Sequence, residues 1–272
     1  MSLDPKHVES QGIRPATVDV ADAQSFASEL ADAARPIAMR YFRSALDVDH
    51  KADESPVTIA DRTIEKMLRD MIASRFPAHG IYGEELGIKS GNGLTWVIDP
   101  IDGTKSFITG VPLFGTLIAL IGGEGPLFGL IDIPATGERW VGAAGRTLFN
   151  GEPARTSPCS SLSAARFYTT SPETFVGEAM EAYRRITQGV ALRRFGGDCY
   201  SYGLLASGHC DLVVEAGLQP YDYMALVPVI QQAGGAISDW DGNPLTLASD
   251  GRVVAAATPA LHAEALALLT TG

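Results

Sequence analysis

Two aspartates that follow an apolar segment are the residues of this chain best suited to chemistry. Residues 96–104 read WVIDPIDGT, so Asp99 and Asp102 lie three positions apart, directly before a Gly-Thr step. Carboxylate oxygens are the hard ligands that Mg²⁺ prefers. Gly103 has no Cβ and lets the backbone approach a ligand closely. If a helical turn begins at Gly103 and Thr104, its free N–H groups can bind an anion beside the metal, so the segment predicts phosphate chemistry.

Hydrolysis of a phosphate monoester requires a nucleophile to reach a charged centre and an alkoxide to leave. Two metal ions roughly 4 Å apart can meet both needs, as they do in phosphatases generally. Bridging two ions takes several carboxylates, and Glu84, Asp99, Asp102 and Asp222 would suffice. Without cations, a like-charged pair about 4 Å apart costs about 4 kcal/mol at an effective dielectric constant near 20, so such a cluster requires bound cations.

Each of these acids also has a purely structural interpretation. Asp99 and Asp102 could cap a turn, as aspartates often do. Asp222 could cap a helix N-terminus, and Glu84 could belong to a solvated loop pair with Glu85.

The bulk composition excludes several other functions. The 272 residues are 46% hydrophobic and carry a formal net charge of −11, which disfavours nucleic-acid binding and charge-driven membrane association. Three widely spaced cysteines do not predict a disulfide framework. The sequence shows neither a secretory signal nor an apolar run of transmembrane length, so we expect a cytoplasmic protein.

Hydrophobic periodicity predicts an α/β protein with two unequal halves. The first half, residues 1–145, is predicted to be α+β and contains most of the acids described above. The second half, residues 146–272, alternates strands with helices and contains Asp222. The first half is predicted to have helices over residues 20–43 and between Thr58 and Pro77, and strands at 94–99, 115–121, 127–133 and 138–143.

The motif Asp-Pro-Ile-Asp-Gly-Thr at 99–104 resembles the signature of the inositol monophosphatase family, whose members are Mg²⁺-dependent, lithium-sensitive phosphatases. Residues 56–61 (PVTIAD) and 83–85 (GEE) resemble two upstream family motifs. Residues 221–223 (YDY), with Gly-Gly at 234–235, resemble the C-terminal motif. The resemblance implies a layered αβαβα sandwich, similar to that of fructose-1,6-bisphosphatase, and a homodimer.

The resemblance also implies roles for individual residues. Two or three Mg²⁺ ions are expected, and their ligands would be Glu84, Asp99, the carbonyl of Ile101, Asp102 and Asp222. Asp61 and Thr104 would orient a water that the metal ions activate for in-line attack, without a phosphoenzyme. The backbone of Gly103 and Thr104 would grip the phosphate. In the structural alternatives, Asp61 lies on an exposed helix face and Thr104 is an ordinary helix cap.

The C-terminal half indicates which ester is hydrolysed. Residues 196–208 (GGDCYSYGLLASG), 211–215 and 218–223 resemble the histidinol-phosphate phosphatase branch of the family. Inositol phosphatases usually have Gly-Thr-Ala or Gly-Ser-Ala where this chain has GGD, and Trp where it has Tyr221. L-Histidinol phosphate carries an ammonium group, which suits an extra carboxylate because charge-assisted hydrogen bonds are strong.

We therefore predict that Asp198 binds this ammonium, with Glu215 as a second partner. Arg194 would approach the phosphate or pair with Asp198. The alternatives are a helix cap for Asp198, a structural salt bridge for Glu215 and a surface role for Arg194.

These residues favour a histidinol-phosphatase of histidine biosynthesis, a phosphoric monoester hydrolase acting on a small phosphorylated substrate. The alternatives are an inositol-1-monophosphatase or other sugar-phosphate phosphatase and, more distantly, a noncatalytic cation-binding protein.

Overall fold

The computed structural model describes residues 19–44, 48–50, 56–123 and 125–270. Two long helices begin the chain, α1 (Val20–Tyr41) and α2 (Ile59–Arg75), and they pack against each other. The carboxylate of Asp19 caps α1 by accepting from the backbone N–H groups of Ala21 and Asp22. Both helices confirm the predicted periodicity, since their apolar faces are buried in one core cluster.

The short strands β1 (Val48–His50) and β2 (Pro56–Thr58) pair with each other before α2. An eight-stranded sheet follows, in the order β10-β9-β8-β7-β6-β5-β3-β4. Its strands are β3 (Gly80–Gly83), β4 (Gly87–Lys89), β5 (Thr95–Asp102), β6 (Gly115–Gly122), β7 (Gly125–Ile133), β8 (Glu138–Ala143), β9 (Arg146–Phe149) and β10 (Glu152–Ala154). All four predicted strands of the first half are present, although β5 continues beyond its predicted end at residue 99.

A bulge explains why β5 continues past Pro100. Asp99 pairs with Leu117 of β6 and Asp102 pairs with Gly115, so three steps on β5 oppose two steps on its neighbour. Proline is tolerated at such a bulge because no ladder hydrogen bond is required from it there. In a regular strand, side chains three residues apart point to opposite faces of the sheet. The extra residue of the bulge instead brings the side chains of Asp99 and Asp102 to the same face.

The second half contains a five-stranded sheet in the order β12-β11-β13-β15-β14. Its strands are β11 (Arg166–Thr169), β12 (Leu192–Phe195), β13 (Leu212–Glu215), β14 (Ala236–Ser238) and β15 (Val253–Ala256). The remaining helices are α3 (Thr104–Ile108), α4 (Glu178–Gly189), α5 (Asp198–Ala206), α6 (Pro220–Tyr223), α7 (Leu226–Gln232) and α8 (Pro259–Leu269).

The helices and sheets form five layers, which confirms the predicted αβαβα sandwich. Helices α1 and α2 cover one face of the larger sheet, α5 and α7 lie between the two sheets, and α8 packs outside the smaller sheet with α4 beside it. Strands β9 and β10 follow residue 145, yet they belong to the larger sheet. The chain therefore changes sheet after Ala154. Among the described residues, no helix is both long and apolar enough to span a bilayer.

Candidate active site

Three aspartates from distant parts of the chain meet where the larger sheet faces the central helices. Asp99 and Asp102 lie on β5 and Asp222 lies on α6, and one carboxylate oxygen from each falls within 4.8 Å of the others. The β5 bulge makes this possible because it brings Asp99 and Asp102 to the same side of the strand.

Backbone N–H groups hold each aspartate in place. Ile101 N donates to Asp99 Oδ1 at 3.0 Å, and Cys199 N donates to Asp102 Oδ2 at 2.7 Å. Gln219 N donates to Asp222 Oδ2 at 2.7 Å in a capping box at the start of α6. The N-cap residue of α6 is Gln219, and Asp222 is the third residue of the helix, so Asp222 supports the cap without being the N-cap of the structural alternative.

Glu84 lies in the turn between β3 and β4 and completes the acidic cluster. Its charge raises the pKa of Asp99, and it raises the pKa of Asp102 and Asp222 as well. It is half-buried rather than fully solvated. The structure thus brings together the four acids that the sequence predicted as metal ligands.

A buried carboxylate on α2, which the sequence analysis missed, fixes the turn that carries Glu84. Glu65 accepts from Glu85 N at 2.6 Å and from Leu86 N at 2.9 Å. Arg69 Nε donates to the same carboxylate at 2.7 Å, and a guanidinium N–H of Arg69 also bonds the carbonyl of Gly87. The sequence feature that could have identified Glu65 is its i,i+4 spacing from Arg69, on a helix face that also carries Leu68.

Mutual proximity and burial make these acids difficult to ionise. Burial, followed by the charges of Glu84 and Asp102, raises the pKa of Asp99 well above its ordinary value. Burial and then the charge of Asp102 do the same to the pKa of Asp222. The pKa of Asp102 is raised to about 7, mainly by burial and then by the charge of Asp198. The cluster therefore favours bound positive charge, either protons or cations.

The donor set fits a hard divalent cation. All side-chain donors are carboxylate oxygens, which suit Mg²⁺, Mn²⁺ or Ca²⁺ better than the thiolate and imidazole ligands typical of zinc sites. The backbone at Ile101 is held between Asp99 and Thr104, because Thr104 Oγ1 donates to the Ile101 carbonyl at 3.2 Å.

The predicted catalytic residues Asp61 and Thr104 lie on α2 and α3. Asp61 is 1% exposed in the first turn of α2, which excludes its interpretation as a residue on an exposed helix face. Thr104 is the first residue of α3, and the helix cap is Gly103 with φ +80°. Strand β2, which leads into α2, packs against α3. The predicted helical turn after Gly103 is therefore present.

A cavity of about 190 Å³ adjoins the cluster. Asp102 and Asp222 form part of its wall, and Asp198, Tyr202 and Glu215 form another part. The remaining lining residues are Thr170, Thr174, Ala216, Gly217, Leu218 and Leu226. The structure thus places both predicted ammonium-binding acids beside the acidic cluster.

Asp198 is held by contacts other than helix capping. Gly197 is the cap residue of α5, whereas the carboxylate of Asp198 accepts from Ser106 Oγ at 3.0 Å. Its φ of +42° is rare for a residue with a Cβ. A Cβ on Gly103 would lie 2.9 Å from Asp198 Oδ2, so the glycine makes room for this carboxylate.

Glu215 is buried at the end of β13 and is bound entirely by neutral donors. It accepts from Thr170 N at 2.8 Å, Thr170 Oγ1 at 2.9 Å and Thr169 Oγ1 at 3.1 Å. Burial raises its pKa to about 7 although these hydrogen bonds lower it. Within the described ranges Glu215 forms no salt bridge, which removes that structural alternative.

Arg194 is the predicted site residue that the structure does not bring to the cavity. It is exposed on the edge strand β12, where its backbone pairs with Tyr168. Among the residues described, it forms no ion pair with Asp198 or another acid. Its predicted contact with phosphate stays a prediction.

The layered fold and the buried acidic cluster together define a class of α/β phosphatases. The sequence profile of the inositol monophosphatase family matches residues 19–271. The chain therefore belongs to the inositol monophosphatase family.

The individual relatives are named for different phosphatase activities. The chain is 49% identical to the bifunctional phosphatase IMPL2 of Arabidopsis thaliana, over 87% of this chain and 72% of that protein. It is 38% identical to a histidinol-phosphatase of Chlorobaculum parvum, over 84% of this chain and 90% of that protein. A solved structure of an inositol monophosphatase from Zymomonas mobilis matches with a TM-score of 0.85 and 43% identity, over 94% of this chain and all of that one.

Proposed function

We propose that this protein is a Mg²⁺-dependent phosphomonoesterase that hydrolyses L-histidinol phosphate to L-histidinol and phosphate. The observation that carries the proposal is the composition of the cavity wall beside the acidic cluster. Asp198 and Glu215 line this cavity, and neither forms a salt bridge with another described residue. Two carboxylates without a cationic partner suit a substrate that brings its own ammonium group.

Glu84, Asp99, Asp102, Asp222 and the carbonyl of Ile101 would hold two or three Mg²⁺ ions. When bound, these ions would supply Lewis-acid chemistry and neutralise the charge of the phosphate. The carboxylates contribute by being fixed in advance through the backbone hydrogen bonds to Asp99, Asp102 and Asp222.

Residues near the start of α3 would position the reacting groups. We propose that Asp61 and Thr104 orient the attacking water and that the carboxylate of Asp61 accepts its proton. The backbone N–H groups of Gly103 and Thr104 would bind phosphate oxygens, since the first turn of a helix has free donors. Asp198 and Glu215 would hold the ammonium group on the leaving-group side.

One relative supports this substrate and one solved structure supports an alternative. The histidinol-phosphatase of Chlorobaculum parvum shares 38% of its aligned residues with this chain. The Zymomonas mobilis enzyme, named as an inositol monophosphatase, shares 43%. Inositol monophosphate is therefore the second candidate substrate. Its ring carries hydroxyl groups and no cation, so the two carboxylates in the cavity favour histidinol phosphate. A cytoplasmic homodimer is the expected form of the enzyme.

Kinetics with two esters would test the substrate. With saturating Mg²⁺, we expect a higher kcat/KM for L-histidinol phosphate than for inositol 1-phosphate. Asp198→Asn should lower kcat/KM for histidinol phosphate by roughly 10- to 100-fold, the value of a charge-assisted hydrogen bond, and change that for inositol phosphate by less than about threefold. Asp70→Asn, at an exposed position on α2, is the matched control. A preference for inositol phosphate, or an equal loss on both esters, would contradict the proposal.

A further inference from the structure

Tyr202 has a buried hydroxyl group without a protein partner. It lies on α5, one turn after Asp198, and it is 2% exposed. Its hydroxyl finds no hydrogen-bond partner among the residues that the structure describes. The side chain lines the cavity shared by Asp198, Glu215 and the acidic cluster. Buried hydroxyl groups are normally paired, so an unpaired one on a side chain that lines a cavity is a candidate hydrogen-bond donor to a molecule bound there.

The surroundings of Tyr202 determine the role that its hydroxyl can play. Burial, and then the charges of Glu215, Asp102 and Asp222, raise the pKa of Tyr202 well above its ordinary value. The group therefore keeps its proton and can donate a hydrogen bond. Glu215 accepts its hydrogen bonds from Thr169 and Thr170, and among the described residues neither it nor any other group accepts one from the Tyr202 hydroxyl.

Packing of α5 fixes the position of this hydroxyl. A Cβ on Gly203 would lie 2.8 Å from the ring of Trp140, so the helix rests directly on that ring. At the other end of α5, Cys199 N is bonded to Asp102. A helix held at both points cannot turn Tyr202 out of the cavity without breaking one of these contacts.

We propose that Tyr202 is a substrate-binding residue whose hydroxyl donates a hydrogen bond to an uncharged acceptor atom of the leaving group. The inference deepens the proposed function and rests on it for the identity of that atom, a ring nitrogen of the imidazole in L-histidinol phosphate. In a sugar phosphate the same position would be taken by a hydroxyl oxygen. Tyr202 then selects for polar leaving groups, while Asp198 and Glu215 select for charge.

The variant Tyr202→Phe tests this role because it removes one oxygen and keeps the ring. We expect kcat/KM for L-histidinol phosphate to fall about tenfold, the value of a typical hydrogen bond. Phenyl phosphate has no acceptor atom in its leaving group apart from the ester oxygen, which every phosphate monoester shares, so its kcat/KM should change less than twofold. Calorimetric binding of the product L-histidinol should weaken by a similar factor of about ten.

The matched control is Ser201→Ala. Ser201 is the neighbouring residue on α5, it is buried, and its hydroxyl also lacks a partner within the described residues. Unlike Tyr202, it does not line the cavity. Both variants should keep or raise the melting temperature, since each removes an unpaired buried hydroxyl. Only Tyr202→Phe should alter the discrimination between esters.

Three results would overturn the inference: an equal loss on phenyl phosphate, unchanged kinetics with every polar ester, or a lowered melting temperature that accounts for the loss. Failure of the proposed function is a separate outcome, in which the wild-type protein prefers inositol 1-phosphate. In that case, the inference about Tyr202 still predicts a loss on inositol phosphate relative to phenyl phosphate. An equal effect on those two esters would reject it.

Discussion

Asp99 is the most buried of the four acids in the cluster, and the other three all raise its pKa. Its carboxylate is 1% exposed, and its pKa is raised by burial and then by Glu84, Asp102 and Asp222. Removing its charge should therefore relieve repulsion in the metal-free protein while it removes a ligand from the metal-bound protein.

Asp99→Asn should separate these two effects. The amide oxygen can still accept the hydrogen bond from Ile101 N, which is 3.0 Å from Asp99 Oδ1, so the fold should persist. We expect phosphatase activity to fall by more than about 100-fold, the upper range for loss of a supporting contact to a metal ligand. The melting temperature without metal should stay the same or rise. Retained turnover would contradict the proposed bridging role of Asp99.

Gly103 offers a second residue-level test, because it has both a positive φ and a crowded Cβ position. Gly103→Ala should cost about 1–2 kcal/mol for the backbone alone, with a further loss from contact with Asp198. Gly145 has the same φ of +80° and nothing within 4 Å of its Cβ position. Gly145→Ala therefore supplies the backbone cost by itself. Equal losses of unfolding free energy in the two variants would show that the contact with Asp198 is unimportant.

At the scale of elements, the β5 bulge and the β3–β4 turn determine where the acids point. The bulge brings the side chains of Asp99 and Asp102 to the same side of β5. The turn is held in place by Glu65, which is fully buried on α2 and accepts hydrogen bonds from Glu85 N and Leu86 N. Glu65 does not reach the substrate cavity, so it is a positioning residue for Glu84.

Glu65→Gln should loosen the turn without unfolding the protein. Glutamine keeps one acceptor oxygen but cannot accept from both backbone N–H groups and from Arg69 as the carboxylate does. We expect divalent-cation affinity to fall by roughly 10- to 100-fold, as is common when a supporting contact to a metal ligand is lost. Calorimetric titration with Mn²⁺ would measure this affinity. Lys66→Ala, which removes an exposed ion pair on the same helix, should leave the affinity unchanged; an equal effect of both variants would rule out positioning.

The sequence could predict which acids come together because the motifs that contain them are short and local. Asp99, Asp102 and the glycine that caps α3 lie within one stretch of chain, so type and spacing are sufficient there. Glu65 and Tyr202 were missed because their roles depend on contacts made after folding. Glu65 bonds residues 20 and 21 positions away, and the cavity at Tyr202 combines β5, α5, β13 and α6. Arg194 is exposed on the edge strand β12 and does not line the cavity, so its role stays a prediction that proximity to a motif in the sequence cannot decide.

At the scale of the whole molecule, residues from both halves of the chain meet at the acidic cluster. Asp99 and Asp102 come from the larger sheet, while Asp198 and Glu215 come from the half that contains the smaller sheet. Two hydrogen bonds join the halves at this point: Cys199 N donates to Asp102, and Ser106 Oγ donates to Asp198. Charge at the cluster should therefore affect the stability of the entire fold.

The metal-free protein should lose stability as the pH rises. Asp102 has a folded pKa of about 7, above its ordinary value of 3.8, so the folded state holds a proton that the unfolded state has released. That contribution is complete below about pH 4 and is lost as the pH rises through about 7. His79 and His262 have lowered pKa values and act in the opposite direction, but mainly below their ordinary value of 6.5.

Thermal unfolding between about pH 6.5 and 8 would measure this effect. The melting temperature should fall over that interval without metal, and saturating Mg²⁺ should flatten the slope because cations replace the protons. Asp102→Asn should reduce the slope without any metal, and the part that remains belongs to Glu215, whose pKa is also about 7. A melting temperature that rises over the interval in metal-free wild-type protein would contradict the proposed protonation of the cluster.

The central claim is that carboxylates from both halves of the chain form one divalent-metal centre. Anomalous diffraction from crystals soaked with Mn²⁺ tests it directly. We predict anomalous peaks about 2.0–2.6 Å from carboxylate oxygens of Asp99, Asp102 and Asp222, with one peak also near Glu84. Peaks confined to other parts of the molecule, or no peak at Asp99 with Mn²⁺ at millimolar concentration, would contradict the claim.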